Sequence, residues 1–410
     1  VTTHRPAVRF VFLTLLLDVI GIGLIIPVGP RLVEELYGRG TEWAAVMVAF
    51  LSASYAAMQF IFAPILGGLS DRYGRRPVIL LSLLGSGLYY LAAAVTPSLF
   101  WLFVTRVVNG IAGANVPVCN AYVADVTPPE KRAAGFGMMG AAFGLGFVLG
   151  PLLGGVLGEI HIRLPFAAAG VLTLANWLYG YFVLPESLPR ERRRAFSLAR
   201  ANPLGTFTHL VRYPIVLGLA ASMFLLNLAM FGLHATWVLY TAHRFHWSGV
   251  ETGLSLTIVG LGAAVVQGGL VRRIVPWLGE PRALILGISI VAASYFGYGL
   301  SPWGWLLYVI LTVASLGGIA QPAGQAIITK AVPPNEQGEV QGALTSLQGV
   351  AAILGPLIGG GVFAYFISGH APVYLPGAPY LTSGVLSICG LLVAWAVLRR
   401  FAAPSPGPAA

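Results

Sequence analysis

Apolar residues in this chain fall in long blocks, and Gly, Pro and charged residues collect between them. The first four blocks cover 8–28, 44–66, 78–95 and 99–123. Later ones cover about 134–158, 165–184, 214–240, 251–271, 283–301, 304–328, 341–367 and 379–398. Each is near or above the roughly 20 residues that an α-helix needs to cross a bilayer core. The pattern predicts an all-α polytopic membrane protein with twelve transmembrane helices. Composition agrees, because 57 % of the residues are apolar and 9 % charged. A soluble domain carries about 25 % charged residues, so this chain could not cover a water-facing surface.

The net charge of +10 raises nucleic acid as a partner, but its distribution argues for a lipid bilayer and against nucleic acid. Of the 24 Lys and Arg, only Arg31, Arg39, Arg163 and Arg244 fall in segments on one side and Arg106 within a block; the rest fall on the other side. Positive-inside bias makes the richer side cytoplasmic, which puts both termini in the cytoplasm of a protein of the cell (inner) membrane. Cys119 and Cys389 lie within blocks, in no metal or redox spacing, and read as small apolar side chains. No small-residue cleavage site follows the first block, so it is expected to be a retained helix and not a signal peptide.

The chain repeats itself. VTPPEKRAAGFGMMGAAFGLGFVLGPLLGG from Val126 aligns with AVPPNEQGEVQGALTSLQGVAAILGPLIGG from Ala331. Pro128-Pro129 matches Pro333-Pro334, Gly150-Pro151 matches Gly355-Pro356, Gly154-Gly155 matches Gly359-Gly360 and Pro117 matches Pro322, always 205 positions apart. Two six-helix bundles in the same orientation are expected, over 1–184 and 214–398. A basic cytoplasmic linker over 185–213 joins them and is expected to be a solvated tether, an interfacial stretch near 196–210 being the alternative, and a disordered tail occupies 399–410. The substrate path is then expected between the halves, near the membrane midplane.

Three motifs carry a family resemblance. The turn between the second and third blocks reads GGLSDRYGRR, from Gly67 to Arg76, and resembles the signature loop of the major facilitator superfamily. Gly67 and Gly74 suit close helix approach and a tight turn, Asp71 suits a helix N-terminus, and Arg72, Arg75 and Arg76 suit carboxylates or lipid phosphates. The resemblance implies an inside latch that closes when the cavity opens outward. Its implied partners are Asp125 for Arg75 and the start of the eleventh helix, near Gln341, for Asp71. GFVLGPLLGG, with Gly146, Gly150, Pro151, Gly154 and Gly155, resembles the antiporter motif of the family; small residues four apart give a flat packing face. LLDVIGIGLIIP in the first block, with FHW from Phe245 and GGIAQP from Gly317, resembles the tetracycline/proton antiporters, a drug/proton antiporter branch. That branch has acids where this chain has Tyr89 and Val291, and a histidine where it has Ala263. These groups help handle a charged metal chelate, so their absence argues for another cargo.

Asp18 is the one acidic residue deep within a block. It lies about 14 Å from the inner end of its helix at 1.5 Å per residue. A carboxylate at that depth must be paired, face water or take up a proton, and intramembrane acids are functional by default. Asp18 is therefore expected to carry the coupling proton. Arg106 cannot deprotonate, and the resemblance implies that it assists coupling. Gln59, Asn109, Asn227, His234, Trp237, Gln325 and Gln348 are candidates for the wall of a substrate cavity.

The sequence shows no His-Glu-x-x-His, phosphate loop or deep carboxylate pair, so neither an enzyme, a metal site nor a cofactor is expected. The leading expectation is a monomeric proton-coupled antiporter that exports small amphipathic or apolar molecules by alternating access. A metabolite symporter or facilitator, and a non-transporting receptor or scaffold, remain open alternatives.

Overall fold

The computed structural model describes residues 4–38, 40–127, 132–194, 196, 210–334 and 336–402. Pro128-Pro129 of the repeat, Arg39, Lys131, Arg200, the stretch 197–209 and the tail from 403 to 410 lie outside the described residues.

Among the described residues twelve helices are long and apolar enough to cross a bilayer, and there is no strand. The first six spans are Phe12–Tyr37, Thr41–Tyr73, Arg75–Ala94, Leu99–Val126, Met139–Ile160 and Leu164–Val183. The last six are Pro214–Phe245, Gly249–Leu278, Glu280–Leu300, Gly304–Lys330, Gln337–Ile367 and Ala378–Phe401. Helices are the natural outcome in hydrocarbon, which offers no partner to a free backbone N–H or C=O. Large apolar side chains such as Leu81, Phe100, Phe182 and Trp277 stand exposed, as lipid-facing positions require.

Several spans are interrupted, and one pair of interruptions follows the repeat. The fourth span breaks between the helices Leu99–Ala112 and Val116–Val126, just before Pro117. The tenth passes through a 3-10 turn, Leu316–Ile319, just before Pro322. Proline cannot donate to the helical ladder, so the turn before it is free to loosen. The eighth span contains a π-helical turn, Val266–Leu270, around Gln267.

The chain packs as two compact units. One comprises Val1–Asn202 with Val238–Leu261, the other Pro203–Trp237 with Gly262–Ala410. In the first, Leu15, Leu83, Val118, Cys119 and Tyr122 belong to one buried cluster. In the second, Leu219, Ile288, Ala323, Ile328 and Ala343 do the same.

Glycine brings helices into backbone contact in each unit. In the first, Gly150 of the fifth span lies so close to Gly23 of the first that a methyl on either would come within 2.8 Å of the other's backbone. A methyl on Gly146 would meet the side chain of Val19, and one on Gly154 would overlap the carbonyl of Leu24. In the second unit Gly355 and Gly359 of the eleventh span lie against Gly232 of the seventh. Small residues four apart bring these backbones into contact, and Pro151 and Pro356 lie inside helices that continue past them.

Candidate functional site

The signature loop is a dense polar knot. The second span ends at Gly74, whose φ of 108° favours glycine and whose N–H reaches the carbonyl of Ser70 at 3.0 Å. Arg75 opens the third span and is buried. Its guanidinium donates to Ser70 Oγ at 2.6 Å and meets Asp71 at 2.6 Å and Asp125 at 3.3 Å. Arg76 donates to the carbonyl of Tyr181 at 2.7 Å. Arg72 is exposed, 5.1 Å from the ring of Tyr73. Arg75 and Asp125, expected together, are together. The carboxylate of Asp71 is held by Arg75 within the loop itself.

One member of this knot was not foreseen. Glu186, in the first turns of the linker, accepts the backbone N–H of Arg75 at 2.8 Å and those of Ser187 and Leu188 at 3.0 Å each. An anion at the N-terminus of the third span suits that helix end. Ser187 donates to Asp125 at 3.2 Å, and Arg194 N–H reaches the carbonyl of Asp71 at 3.1 Å. A methyl on Gly74 would collide with the Glu186 carboxylate, so Gly74 serves both the turn and this contact. Among the described residues a methyl on Gly67 would meet nothing within 4 Å. Its neighbour Gly68 carries the contact, against the ring of Phe196. The linker thus folds back on the loop, where its charge alone suggested a solvated tether. The only hint in sequence was an acid, Glu186, next to the span and ahead of a basic run.

At the opposite ends of the spans lies a second polar cluster, also unforeseen. Arg31 meets Glu159 at 3.2 Å and donates to the carbonyl of Trp247 at 2.8 Å. Glu159 accepts the N–H of Gly249, first residue of the eighth helix, at 2.5 Å. Below it a methyl on Gly155 would overlap the carbonyl of Gly249, and Thr257 donates to the carbonyl of Val148 at 3.1 Å. The antiporter-motif glycines therefore serve two neighbours. Gly146, Gly150 and Gly154 face the first span, and Gly155 faces the eighth.

Asp18 is partly buried in the first span, with Tyr55, Tyr90 and Cys119 within electrostatic reach. Among the described residues its carboxylate makes no ion pair or hydrogen bond. Arg106 does not approach it closely enough to pair. Its guanidinium lies between the rings of Tyr55 and Tyr89, 5.8 Å from each centroid, a cation–π arrangement. One turn from Asp18, Thr14 lies against Asn176 of the sixth span, whose Nδ2 donates to the Thr14 carbonyl at 3.1 Å. Thr14 Oγ1, Asn176 Oδ1 and Thr173 Oγ1 are buried without a protein partner. Buried polar atoms of this kind are where ordered water belongs.

The residues offered for the cavity wall divide. Asn227, Gln325 and Gln348 line a cavity of about 470 Å³ inside the second unit, together with Gln321, Gln341, Thr345, Phe224, Tyr295 and Val291. Gln59 is a tie between spans, because its amide donates to Tyr55 at 2.9 Å and to the carbonyl of Gly113 at 3.1 Å. Asn109 is buried in the first unit. Trp237 is corrected from cavity wall to core. It is 3 % exposed and packs edge-on against Tyr298 and Tyr380, at 5.4 and 6.0 Å. His234 is exposed beside Phe231, 6.4 Å away, and does not line this cavity. Among the described residues no group of three or more His, Cys, Asp or Glu could hold a metal ion.

The family model described as Major Facilitator Superfamily matches residues 11–356 and 278–410. The chain is 40 % identical to the class C tetracycline resistance protein of Escherichia coli over 351 residues, covering 86 % of this chain and 88 % of that protein. It is 36 % identical to the class D tetracycline resistance protein of Salmonella ordonez, covering 98 % of each. The crystal structure of the human organic anion transporter MFSD10 (TETRAN) superposes with a TM-score of 0.71 and 27 % identity, over 96 % of this chain and all of that one. Twelve spans, a signature loop and an antiporter motif in repeated halves agree with these likenesses: the chain is an integral membrane protein and belongs to the Major Facilitator Superfamily of transporters.

Proposed function

We propose that this protein is a proton-coupled drug efflux antiporter of the inner membrane. Its termini are cytoplasmic, and it works as a monomer of two six-span halves, 1–184 and 214–398. The likeness to tetracycline resistance proteins supports export of a drug-like molecule. The observation that carries the coupling is Asp18: a lone carboxylate, deep in the first span, with no counter-charge at ion-pairing distance among the described residues. A carboxylate held by a fixed cation would stay ionised; this one is at liberty to bind and release a proton as its access to water changes. Thr14, Thr173 and Asn176 offer unpartnered oxygens beside it for water leading to it. Arg106, held by tyrosine rings, contributes a fixed positive field and not a partner.

The gates follow from the two polar clusters. Arg31, Glu159 and the Trp247–Gly249 backbone close the outer ends of the fifth and eighth spans. The loop from Gly67 to Arg76, with Asp125 and Glu186, forms the inner latch. Proton arrival at Asp18 from outside, and cargo arrival from the cytoplasm, would each favour the alternation that the other completes.

The test is flux in proteoliposomes against an imposed proton gradient, with Asp18→Asn in place of the native acid. The variant mimics the protonated carboxyl, so gradient-driven accumulation should fall to the leak while binding of the cargo persists. Accumulation at the wild-type level would make Asp18 a structural residue and end this reading.

A further inference from the structure

The cavity of the second unit has an unusual polar lining. It contains five carboxamides, Asn227, Gln321, Gln325, Gln341 and Gln348, one hydroxyl from Thr345 and one from Tyr295, and no ionisable acid or base other than that phenol. Gln321 and Gln325 lie one turn apart on the tenth span. Gln341, Thr345 and Gln348 follow each other at four and three residues on the eleventh, so both rows run along single helix faces. Among the described residues the side-chain amides of the four glutamines make no hydrogen bond. Only Asn227 is engaged, donating one N–H to the carbonyl of Met223 at 2.8 Å. Within a membrane-spanning segment a carboxamide without a protein partner is unfavourable unless water or a ligand satisfies it.

We propose that this wall selects uncharged aromatic molecules bearing amide, hydroxyl or carbonyl groups, and that it rejects net cations, net anions and metal chelates. The inference deepens the antiporter reading and rests on it for the direction of transport. Its physical basis is that a carboxamide presents donors and acceptors together and favours neither sign of charge. An ion that leaves water for this wall loses its hydration and meets no opposite charge. A neutral molecule exchanges its hydrogen bonds with water for equivalent ones with the glutamines, and lays its apolar part on Phe224 and Tyr295. The volume of about 470 Å³ suits a drug-sized occupant.

The test is equilibrium binding to the purified full chain in nanodiscs, with no gradient, so that it stands apart from coupling at Asp18. The probe is radiolabelled chloramphenicol, which is uncharged, aromatic and carries an amide and two hydroxyls. The competitors are thiamphenicol (uncharged), ethidium (a cation) and the magnesium–tetracycline chelate. Saturable binding displaced by thiamphenicol, and by neither charged competitor, is expected. Gln325→Leu combined with Gln348→Leu should weaken chloramphenicol by about tenfold or more. Gln348→Glu keeps the shape, adds an anion, and should admit ethidium while weakening chloramphenicol. The proposal is overturned by tighter binding of ethidium or the chelate than of chloramphenicol in the native chain. It is overturned equally by unchanged chloramphenicol affinity in the leucine variant, or by no saturable binding of either phenicol. Binding as expected with no gradient-driven flux would leave the selectivity standing and remove the coupling. Flux with the wrong selectivity would do the reverse.

Discussion

The two copies of the sequence repeat carry the same ion pair with its signs reversed. Arg75, at the start of the third span, meets Asp125 at the end of the fourth at 3.3 Å. Exactly 205 positions on, Glu280 at the start of the ninth span meets Lys330 at the end of the tenth at 2.6 Å. Even the glycine before each pair is conserved in conformation, with φ 108° at Gly74 and 79° at Gly279. The surroundings differ. Arg75 keeps 11 % of its side-chain surface exposed and also serves Ser70, Asp71 and, through its N–H, Glu186. Lys330 keeps 70 % exposed and joins Glu280 alone among the described ion pairs. The repeat therefore preserves a tie between neighbouring helices, while only one copy is embedded in a wider polar network. Position in a repeat fixes where a contact is made, and the surrounding network decides what breaking it costs.

Substitutions at the two sites should separate those statements. The largest effect is expected for Arg75→Ala, which leaves Asp71 and Asp125 facing each other in a partly buried knot. A loss of about 3 kcal/mol is expected, read as a fall in the detergent unfolding midpoint together with loss of transport. Next comes charge exchange. Arg75→Glu with Asp125→Lys restores the pair in name, but it sets a new acid beside Asp71 and Glu186, so transport should stay well below native. The matching exchange of Glu280→Lys with Lys330→Glu should leave flux near native; equal loss in both halves would dissolve the contrast. Asp71→Asn should lower flux several-fold while the unfolding midpoint stays within about 1 kcal/mol, because Asp71 is 45 % exposed. Native flux in that variant would remove the latch. The smallest effect belongs to Lys330→Ala, within about 1 kcal/mol, as for other exposed pairs.

Much of this architecture was legible in sequence because lipid imposes it directly. Hydropathy marks where backbone must be helical, and the 205-residue offset aligns Pro117 with Pro322, beside which both helices break. The stripe of Gly146, Gly150 and Gly154 read as a packing face, though not which helix it would meet. What escaped was polar contact over long sequence separations. An acid beside the sixth span was the one hint in the linker, and it did not point to a helix more than a hundred residues earlier; nothing joined Arg31 to Glu159 or Trp247. Side-chain type misled at Trp237 and Gln59 for a related reason. Aromatic rings and amides suit a ligand wall and a helix–helix tie equally, and only their neighbours distinguish the two. The carboxamides at Asn227, Gln325 and Gln348 were legible as polar groups out of place in hydrocarbon, but their gathering into one wall with Gln321 and Gln341 required the fold.

The separation of that wall from the glycine crossings bears on how the protein can change over generations. None of its four glutamines takes part in the contacts of Gly23 with Gly150 or Gly232 with Gly359. A glutamine codon becomes a leucine, glutamate, lysine or histidine codon by a single base substitution. Each of those steps rewrites the chemistry of the wall, apolar, anionic, cationic or titratable, without disturbing a helix crossing. Glycine codons at the crossings have no such freedom, since every larger side chain meets backbone. On the proposed selectivity, the cargo range is thus the part of this molecule open to rapid revision, and the glycine-packed frame is the part held fixed.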